Sequence, residues 1–283
     1  MRNYFTVLTI AGSDSSGGAG IQADIKTMSA IGCYGMSAIT SLTAQNTTGV
    51  RSIMPVDPMI VADQIDMVMD DIPPLAIKTG MLCNAEITSI VADKMEQYRP
   101  ANLVIDPVMV STSGSRLLDE DAIEIVKTKL FPLARLITPN QHEARALTGV
   151  EDADEQARIL MDMGASNVLI KGGDTARTDV KIDFLYCGRE NRITLPSDAV
   201  DTVNTHGTGC TLSAAIASYL ALGYELKSAV SRAKLYISRA LEAGSFVTVG
   251  KGHGPVNHFF SPRRLKNYNP ARENNIPKYG NQD

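Results

Sequence analysis

Short apolar runs that alternate with longer amphipathic segments constrain the fold of this 283-residue chain more than any other feature. The apolar runs predict strands at Phe5–Ile10, Ser37–Thr43, Leu75–Thr79, Leu103–Asp106, Leu136–Thr138 and Val168–Lys171. The segments between them predict helices, among them Ile21–Ile31, Asp57–Met69, Ala85–Tyr98 and Glu143–Leu147. Buried parallel strands read as continuous apolar runs, and strand–helix alternation is typical of a sheet covered on both faces. The pattern therefore predicts a three-layer α/β fold with a central, mainly parallel sheet flanked by helices.

The pattern changes after Lys171. Two alternating segments, Ile182–Cys187 and Arg192–Leu195, predict a hairpin, and helices are expected over Thr208–Leu222 and Leu226–Ala243. Since no linker or repeat interrupts the chain, we expect one domain over residues 1–260. Residues 261–283 are rich in proline, asparagine and charge and poor in apolar side chains, which predicts a disordered polar tail.

Composition limits the classes of function. The chain is 44% hydrophobic and 20% charged with a net charge of −4, which is ordinary for a globular protein and offers no basic face for nucleic acid. No apolar run approaches the roughly 20 residues that a membrane helix needs. The four cysteines are widely spaced and form no C-x-x-C pair, which argues against a disulfide framework and a zinc site. Reduced thiols and a cytoplasmic location are the expectation.

A first glycine-rich loop, Gly12–Gly20, follows the first predicted strand. Its glycines allow the backbone to approach a ligand closely, although a flexible turn would explain them too. The segment Gly18–Ala23 also matches the dinucleotide fingerprint G-x-G-x-x-A. It starts far beyond the strand, however, and no acidic residue lies at the expected ribose position, so this signal is weak. A Walker A sequence is absent.

A second glycine motif, Gly207-Thr208-Gly209-Cys210, opens directly into a predicted helix. Free N–H groups and the helix dipole at such a start form an anion site, which would stabilise the charge of a phosphoryl group in transfer. An ordinary capped helix is the alternative. Cys210 lies in the first turn, where a thiol can have a lowered pKa and act as a base. A small buried apolar side chain is the other interpretation of Cys210.

Polar side chains also stand where other predicted strands end. Asp106 ends one strand, Asn140 and Glu143 follow the next, and Lys171 ends the strand after that. Mg²⁺ prefers a few carboxylates together with water and nucleotide phosphates, and a lysine can meet phosphate as a point charge. Each residue alone is explained by a cap, a salt bridge or a surface position. Two acids at the ends of two core strands favour a metal site.

Taken together, these segments resemble the hydroxymethylpyrimidine/phosphomethylpyrimidine kinases of thiamine biosynthesis, within the ribokinase-like superfamily. The resemblance extends over roughly Thr6–Phe260. Its carriers, in chain order, are Ala11–Asp24, Thr43–Thr47, Lys78–Met81, Asp106–Met109, Asn140 with Glu143, Lys171–Gly173, His206–Cys210 and Gly252–Pro255. One of these motifs alone would be weak, whereas the ordered set is specific.

The resemblance implies ATP and Mg²⁺ as cofactors and a homodimer as the assembly, and it leaves open whether a monovalent cation is needed. It implies two successive transfers, first to a pyrimidine alcohol and then to the monophosphate formed. The anion hole would be Gly207, Thr208 and Gly209 with Cys210 as base, and Asp106 with Glu143 would arrange Mg²⁺. The nucleotide phosphates would meet Lys171, Asn140 and Thr208. The residues implied for the pyrimidine pocket are Gly12, Asp24, Gln45, Met81 and Val108.

Several alternatives remain at this point. Met81 and Val108 could be plain core residues, whereas the amide of Gln45 suits an aminopyrimidine because it both donates and accepts hydrogen bonds. The small residues Ser111–Ser115 fit either a simple surface loop or a lid over the site, and the resemblance favours the lid. A pyridoxal kinase is the nearest alternative enzyme, and a non-catalytic nucleotide or pyrimidine sensor is the alternative from another class. Intact candidates for the base, metal and anion groups argue against a sensor.

Overall fold

The structure, a computed structural model, describes residues 2–109, 118–172 and 179–269. The strands within these ranges are β1 Asn3–Tyr4, β2 Thr6–Asp14, β3 Tyr34–Asn46, β4 Gly49–Pro55, β5 Ala76–Thr79, β6 Leu103–Ile105, β7 Leu136–Ile137, β8 Asn167–Ile170, β9 Val180–Cys187, β10 Arg192–Asp198 and β11 Asn267–Tyr268. The α-helices are α1 Gly20–Ile31, α2 Pro58–Asp71, α3 Ala85–Tyr98, α4 Glu120–Ile125, α5 Gln141–Thr148, α6 Ala153–Asp162, α7 Thr208–Ala221 and α8 Leu226–Gly244. A π-helical turn and a 3₁₀ turn follow α4 over Val126–Leu133.

Nine of the described strands form one sheet in the order β10-β9-β8-β7-β6-β5-β2-β3-β4. The six strands from β8 to β3 in this order pair parallel with one another. The edge strand β4 and the β9–β10 hairpin run antiparallel. The predicted central, mainly parallel sheet with flanking helices is confirmed, and so is the hairpin after Lys171.

Side-chain alternation along the strands divides the core into two layers. Leu8 and Ile105 lie in a cluster with α2 and α3, whereas their neighbours Val7 and Val104 lie in a cluster with α1, α7 and α8. Successive strand residues point to opposite faces, so an apolar run supplies both clusters at once. This explains why the core strands show no polar alternation in the sequence.

The chain reverses its direction across the sheet at β2. It passes from β2 through α1 to β3 on one side, and it later returns to β5 on the other side of β2. Ligands of open α/β sheets bind beyond the carboxyl ends of the strands at such a switch point. The topology therefore places the binding crevice beside the ends of β2 and β5.

The tail prediction is wrong for residues 261–269. The backbone N–H of Arg263 donates to Ala30 O at 2.9 Å, and that of Lys266 donates to Gly32 O at 2.8 Å. Strand β11 then pairs with β1, and Tyr268 is 9% exposed with its ring 4.8 Å from that of Phe5. Backbone hydrogen bonds and a single aromatic anchor dock this segment, so its low apolar content misled the prediction. Residues 270–283 lie outside the described residues.

Among the helices that the structure describes, none is both long and apolar enough to cross a membrane.

Candidate active site

A cavity of about 820 Å³ opens at the carboxyl ends of the parallel strands. It brings together most of the residues singled out from the sequence. These lining residues are Gly12, Gln45, Met81, Asp106, Val108, Asn140, Glu143, Lys171, Gly207, Thr208, Gly209 and Cys210. The predicted lid, Ser111–Ser115, lies outside the described residues.

Asp106, Glu143 and Lys171 form one charged cluster. Lys171 Nζ lies 3.0 Å from Asp106 Oδ1 and 3.9 Å from Glu143 Oε2. The cluster is close because β6, β7 and β8 are neighbours and because the backbone of Lys171 pairs with that of Asn140. The Ser213 hydroxyl on α7 also donates to Asp106 Oδ2 at 3.0 Å, which connects this carboxylate to the glycine-motif helix.

The two acids of the cluster differ in charge. Burial opposes ionisation of Asp106, but the ammonium groups of Lys171 and Lys78 outweigh it and lower the pKa of Asp106. Burial also dominates at Glu143, where the negative charge of Asp106 adds to it, and the pKa of Glu143 rises to about 7 despite the attraction of Lys171. Asp106 is therefore the permanent anion of the cluster, and Glu143 is poised between its two forms near neutral pH.

Asn140 and Glu143 serve the start of α5 as a reciprocal capping box. Asn140 Oδ1 accepts from the Glu143 N–H at 2.9 Å, and Glu143 Oε2 accepts from the Asn140 N–H at 2.8 Å. Both side chains are thereby fixed at the cavity wall by local backbone groups. The capping box alone accounts for Asn140 and Glu143 at these positions. Because both residues also line the cavity, a ligand bound there can contact them.

The acids fit a Mg²⁺ ion that is held mainly by nucleotide phosphates and water. In the part of the chain that is described, no group of three or more histidine, cysteine or acidic side chains is arranged to enclose a metal. Mg²⁺ keeps several waters and takes one or two carboxylates in nucleotide sites, which is what Asp106 and Glu143 can offer. Lys171 neutralises part of their charge when it lies between them.

The start of α7 is shaped by backbone conformation. Gly207 precedes the helix with φ of 77°, a left-handed conformation that favours glycine, and no side chain caps the helix. The first amides of a helix have no intrahelical acceptor, so those of Gly209 and Cys210 can serve an anion. Gly209 lies beside the charged cluster, since a methyl group on it would be 3.5 Å from Lys171 Nζ and 3.7 Å from Asp106 Oδ2.

The expectation of a lowered pKa for Cys210 is wrong. Burial raises the pKa of the thiol to about 11, although the nearby charge of Lys78 and a hydrogen bond from the Gly20 backbone act in the opposite direction. Desolvation of the thiolate therefore exceeds the stabilisation that this helix start supplies. Cys210 is a neutral thiol at neutral pH in the chain without ligands.

Asp24 does not line the cavity, which corrects the role implied for it as a wall of the pyrimidine pocket. It is fully buried and pairs with Lys78, whose Nζ lies 2.8 Å from Asp24 Oδ2, and the Thr9 hydroxyl donates to the same oxygen at 2.6 Å. Burial opposes the charge of Lys78, but the attraction of Asp24 outweighs it and raises the pKa of Lys78. Asp24 therefore contributes to the site through this lysine.

Lys78 is a residue of the site that sequence reasoning missed. It lines the cavity from the end of β5, and its charge reaches both Cys210 and Asp106. A methyl group on Gly80 would lie 2.8 Å from Lys78 Nζ, so this glycine leaves room for the ammonium group. A lone lysine inside an apolar strand was the available signal, because a charge there needs a buried partner.

The acceptor side of the cavity combines an amide with apolar surfaces. The Thr43 hydroxyl lies 3.0 Å from Gln45 Oε1, and the Ser15 hydroxyl lies 2.9 Å from the Gln45 backbone nitrogen, so neighbouring groups hold Gln45 in place. Met81 is 9% exposed and packs beside Gly12, where a methyl group would lie 3.4 Å from its sulfur. Such a pocket suits a flat heterocycle with donors and acceptors at its edge.

A helix start with free amides, a lysine and two acids in one cleft are the groups that a phosphoryl-transfer enzyme uses, because such catalysis is mostly positioning and charge stabilisation. A family model described as phosphomethylpyrimidine kinase matches residues 14–257. The chain belongs to this family and is an ATP-dependent kinase.

Individual relatives agree with the family. The chain is 46% identical over 259 residues to a hydroxymethylpyrimidine/phosphomethylpyrimidine kinase of Synechococcus elongatus, with 89% of this chain and 97% of the relative covered. It is 48% identical over 267 residues to a thiamine biosynthesis bifunctional protein of Geobacter sulfurreducens, where 92% of this chain matches only 54% of the relative. The chain thus spans about half of that bifunctional protein.

A solved structure supports the fold. The pyridoxal kinase of Bacillus subtilis in complex with ADP superimposes with a TM-score of 0.82 at 37% identity, and the match covers 90% of this chain and 98% of that one. This similarity shows that the ribokinase-like fold is shared with an enzyme that binds a nucleotide.

Proposed function

We propose that the chain transfers the γ-phosphoryl group of ATP to the hydroxymethyl group of 4-amino-5-hydroxymethyl-2-methylpyrimidine, and then to the resulting monophosphate. The observation that carries this proposal is a cavity that is lined by Gln45, by the start of α7 and by the Asp106–Lys171–Glu143 cluster. Its volume of about 820 Å³ exceeds what a small pyrimidine needs and has room for nucleotide phosphates beside it.

Each group has a separate task in this proposal. Gln45 and the apolar walls from Met81 and Val108 orient the pyrimidine, and Gly12 gives its ring space. Lys171, Asn140 and Thr208 hold the nucleotide phosphates, and the amides at the start of α7 stabilise the charge of the phosphoryl group in transfer. Mg²⁺, when held by Asp106 and Glu143, neutralises phosphate charge. Cys210 lies at the same helix start, and its thiolate form takes the proton of the alcohol in the first transfer and becomes the neutral thiol.

The test is transfer from radiolabelled ATP in the presence of Mg²⁺ to three acceptors measured separately: the pyrimidine alcohol, its monophosphate and pyridoxal. We expect both pyrimidine compounds to be phosphorylated with a higher kcat/KM than pyridoxal. Gln45→Ala should raise the KM for the pyrimidine about 10-fold, because a buried donor–acceptor pair is left unsatisfied, while the KM for ATP stays unchanged.

Other outcomes separate the alternatives. Efficient transfer to pyridoxal alone would support a pyridoxal kinase, which the similarity to the Bacillus subtilis structure keeps as the second candidate. Binding of ATP or pyrimidine without any transfer would indicate a sensor. An equal loss of affinity for both ligands in Gln45→Ala would point to general damage of the pocket.

We further propose a cytoplasmic homodimer. All four cysteines lie in the described ranges and are free, which fits a reducing compartment. The edge strand β4 exposes Met54 and helix α2 exposes Met59 and Met67, with exposed fractions of 58%, 63% and 72%. Apolar side chains on an open sheet edge fit an interface between two copies. Light scattering of the purified chain would give its mass in solution.

A further inference from the structure

The two glycine-rich loops touch each other directly. A methyl group on Gly207 would overlap the carbonyl oxygen of Gly18, and a methyl group on Gly18 would overlap the ring of His206. The loop after β2 and the start of α7 are thus packed backbone against backbone. Any side chain at Gly18 or Gly207 would push the two segments apart, which gives these glycines a joint steric role.

Asp14 connects the same two segments by hydrogen bonds. Its Oδ2 accepts from the backbone N–H of Gly18 at 3.1 Å and of Ala19 at 2.8 Å, and it lies 2.8 Å from His206 Nε2. Its Oδ1 accepts from the backbone and hydroxyl groups of Ser16, both at 2.8 Å. Because an ionised carboxylate can only accept hydrogen bonds, Nε2 of His206 carries a proton and donates a hydrogen bond to Asp14 Oδ2.

His206 is itself fixed on its other side. Its backbone N–H donates to Gly254 O at 3.0 Å, and its backbone pairs with that of Pro255. His206 is 6% exposed and directly precedes Gly207, so its position sets where α7 begins. Three chain segments that are distant in sequence therefore meet at the Asp14–His206 hydrogen bond.

We propose that Asp14 and His206 are positioning residues that hold the anion-binding start of α7 against the acceptor-side glycine loop before either ligand arrives. This role rests on the proposed phosphoryl transfer, in which Asp14 and His206 were given no task. Without the Asp14–His206 hydrogen bond, which we call the clasp, the amides of Gly209 and Cys210 would lose their alignment with the phosphoryl group in transfer. A misplacement of about 1 Å can cost on the order of 100-fold in rate.

The clasp should therefore affect kcat more than KM, and it should affect both transfers alike. The amides at the start of α7 face the migrating phosphoryl group in each step, whatever the acceptor is. This separates the clasp from the proton-accepting role of Cys210, which concerns the alcohol alone. Equal losses in the two transfers are the signature of the clasp.

The central variant is His206→Phe, which keeps a ring and removes the donor. We expect kcat to fall about 10- to 100-fold in both transfers while the KM values change less than about 3-fold. His206→Gln places an amide donor near the original Nε2 position and should recover part of the loss. His253→Phe is the matched control, because this exposed histidine lies in the neighbouring loop and does not line the cavity. It should keep wild-type kinetics.

Hydrogen exchange gives a second measurement that does not depend on turnover. In His206→Phe, the hydrogen-bonded amides of Thr208 and Thr211 at the start of α7 and those of Gly18 and Ala19 should exchange faster, while the amides in the sheet keep their wild-type rates. Unchanged kcat with unchanged exchange would overturn the clasp, and so would loss in only one of the two transfers. If the wild-type chain transfers no phosphate, the proposed function fails instead, and exchange still tests the clasp.

Discussion

Burial and the charge of Lys78 act in opposite directions on the pKa of Cys210. Its pKa of about 11 leaves roughly one thiol in 10⁴ ionised at neutral pH, and only this thiolate fraction can accept the alcohol proton as the new bond forms. The second acceptor is a phosphate whose second pKa is about 6, and little proton remains on it. The first transfer therefore needs Cys210 to remove a proton from the acceptor, whereas the second transfer does not.

Cys210→Ala should depress the first transfer by about 10²–10⁴-fold and leave the second largely intact, because the backbone amides of the helix start survive the substitution. The wild-type rate of the first transfer should also rise with pH from 7 to 9, as the thiolate fraction increases toward the raised pKa. Single-turnover rates with the alcohol and with its monophosphate measure both effects. Equal losses in the two transfers would show that Cys210 acts through packing.

The residues at strand ends could be assigned to the site from the sequence, because parallel strands bring their carboxyl ends to one edge of the sheet. Asp106, Glu143 and Lys171 meet for this reason. The state of charge could not be predicted in the same way, since the raised pKa of Cys210 depends on burial by distant segments. The pairing of Asp24 with Lys78 across two elements was equally out of reach.

At the scale of elements, local signals account for what was predicted and tertiary contacts for what was missed. Helices α2, α3 and α5 are preceded by the N-cap residues Asp57, Asn84 and Asn140. Their side chains accept hydrogen bonds from the first turn, and such caps can be predicted from a sequence. Strand β4 was missed because it is an edge strand with a mostly exposed burial pattern. Strand β4 is held in the sheet by its pairing with β3, and this pairing cannot be predicted from the local sequence.

The glycine loop between β2 and α1 depends on the ionised form of Asp14. Burial opposes its charge, but the hydrogen bonds from His206 and Ser16 outweigh burial and lower the pKa from 3.8 to about 2. A group with a lowered folded pKa stabilises the protein above its unfolded pKa and loses that contribution as pH falls through the folded one. Asp14 should therefore contribute about 2 kcal/mol at neutral pH, and this is lost between pH 4 and 2.

Asp14→Asn tests this contribution. The difference in unfolding free energy between wild type and variant, measured by urea titration, should narrow by about 2 kcal/mol as the pH is lowered from 7 toward 2. A residual difference is expected at every pH, because an amide cannot accept all the hydrogen bonds of a carboxylate. A difference that stays constant over this range would show that the charge of Asp14 does not stabilise the loop.

At the scale of the whole molecule, the segment after Phe260 returns to the beginning of the chain. It crosses the end of α1 through the backbone bonds of Arg263 and Lys266 and ends in β11, paired with β1. The segment up to Tyr268 is thus fastened to the beginning of the chain and to the end of α1. Docking of this kind depends on backbone groups and one tyrosine, so composition alone could not reveal it.

Truncation after Phe260 should therefore destabilise the protein without impairing catalysis, whereas truncation after Asn269 should keep the docked strand. Burial of Tyr268 against Phe5 is worth about 2 kcal/mol, and the lost backbone pairing adds to it, so the melting temperature should fall by roughly 5 °C in the shorter chain. Tyr268→Ala in the full-length chain is the matched control and should reproduce much of this loss. Thermal unfolding followed by circular dichroism, with kcat/KM measured well below the transition, separates stability from activity. An unchanged melting temperature in the shorter chain would mean that β11 adds no stability, and a fall in kcat/KM at low temperature would mean that the segment supports the site directly.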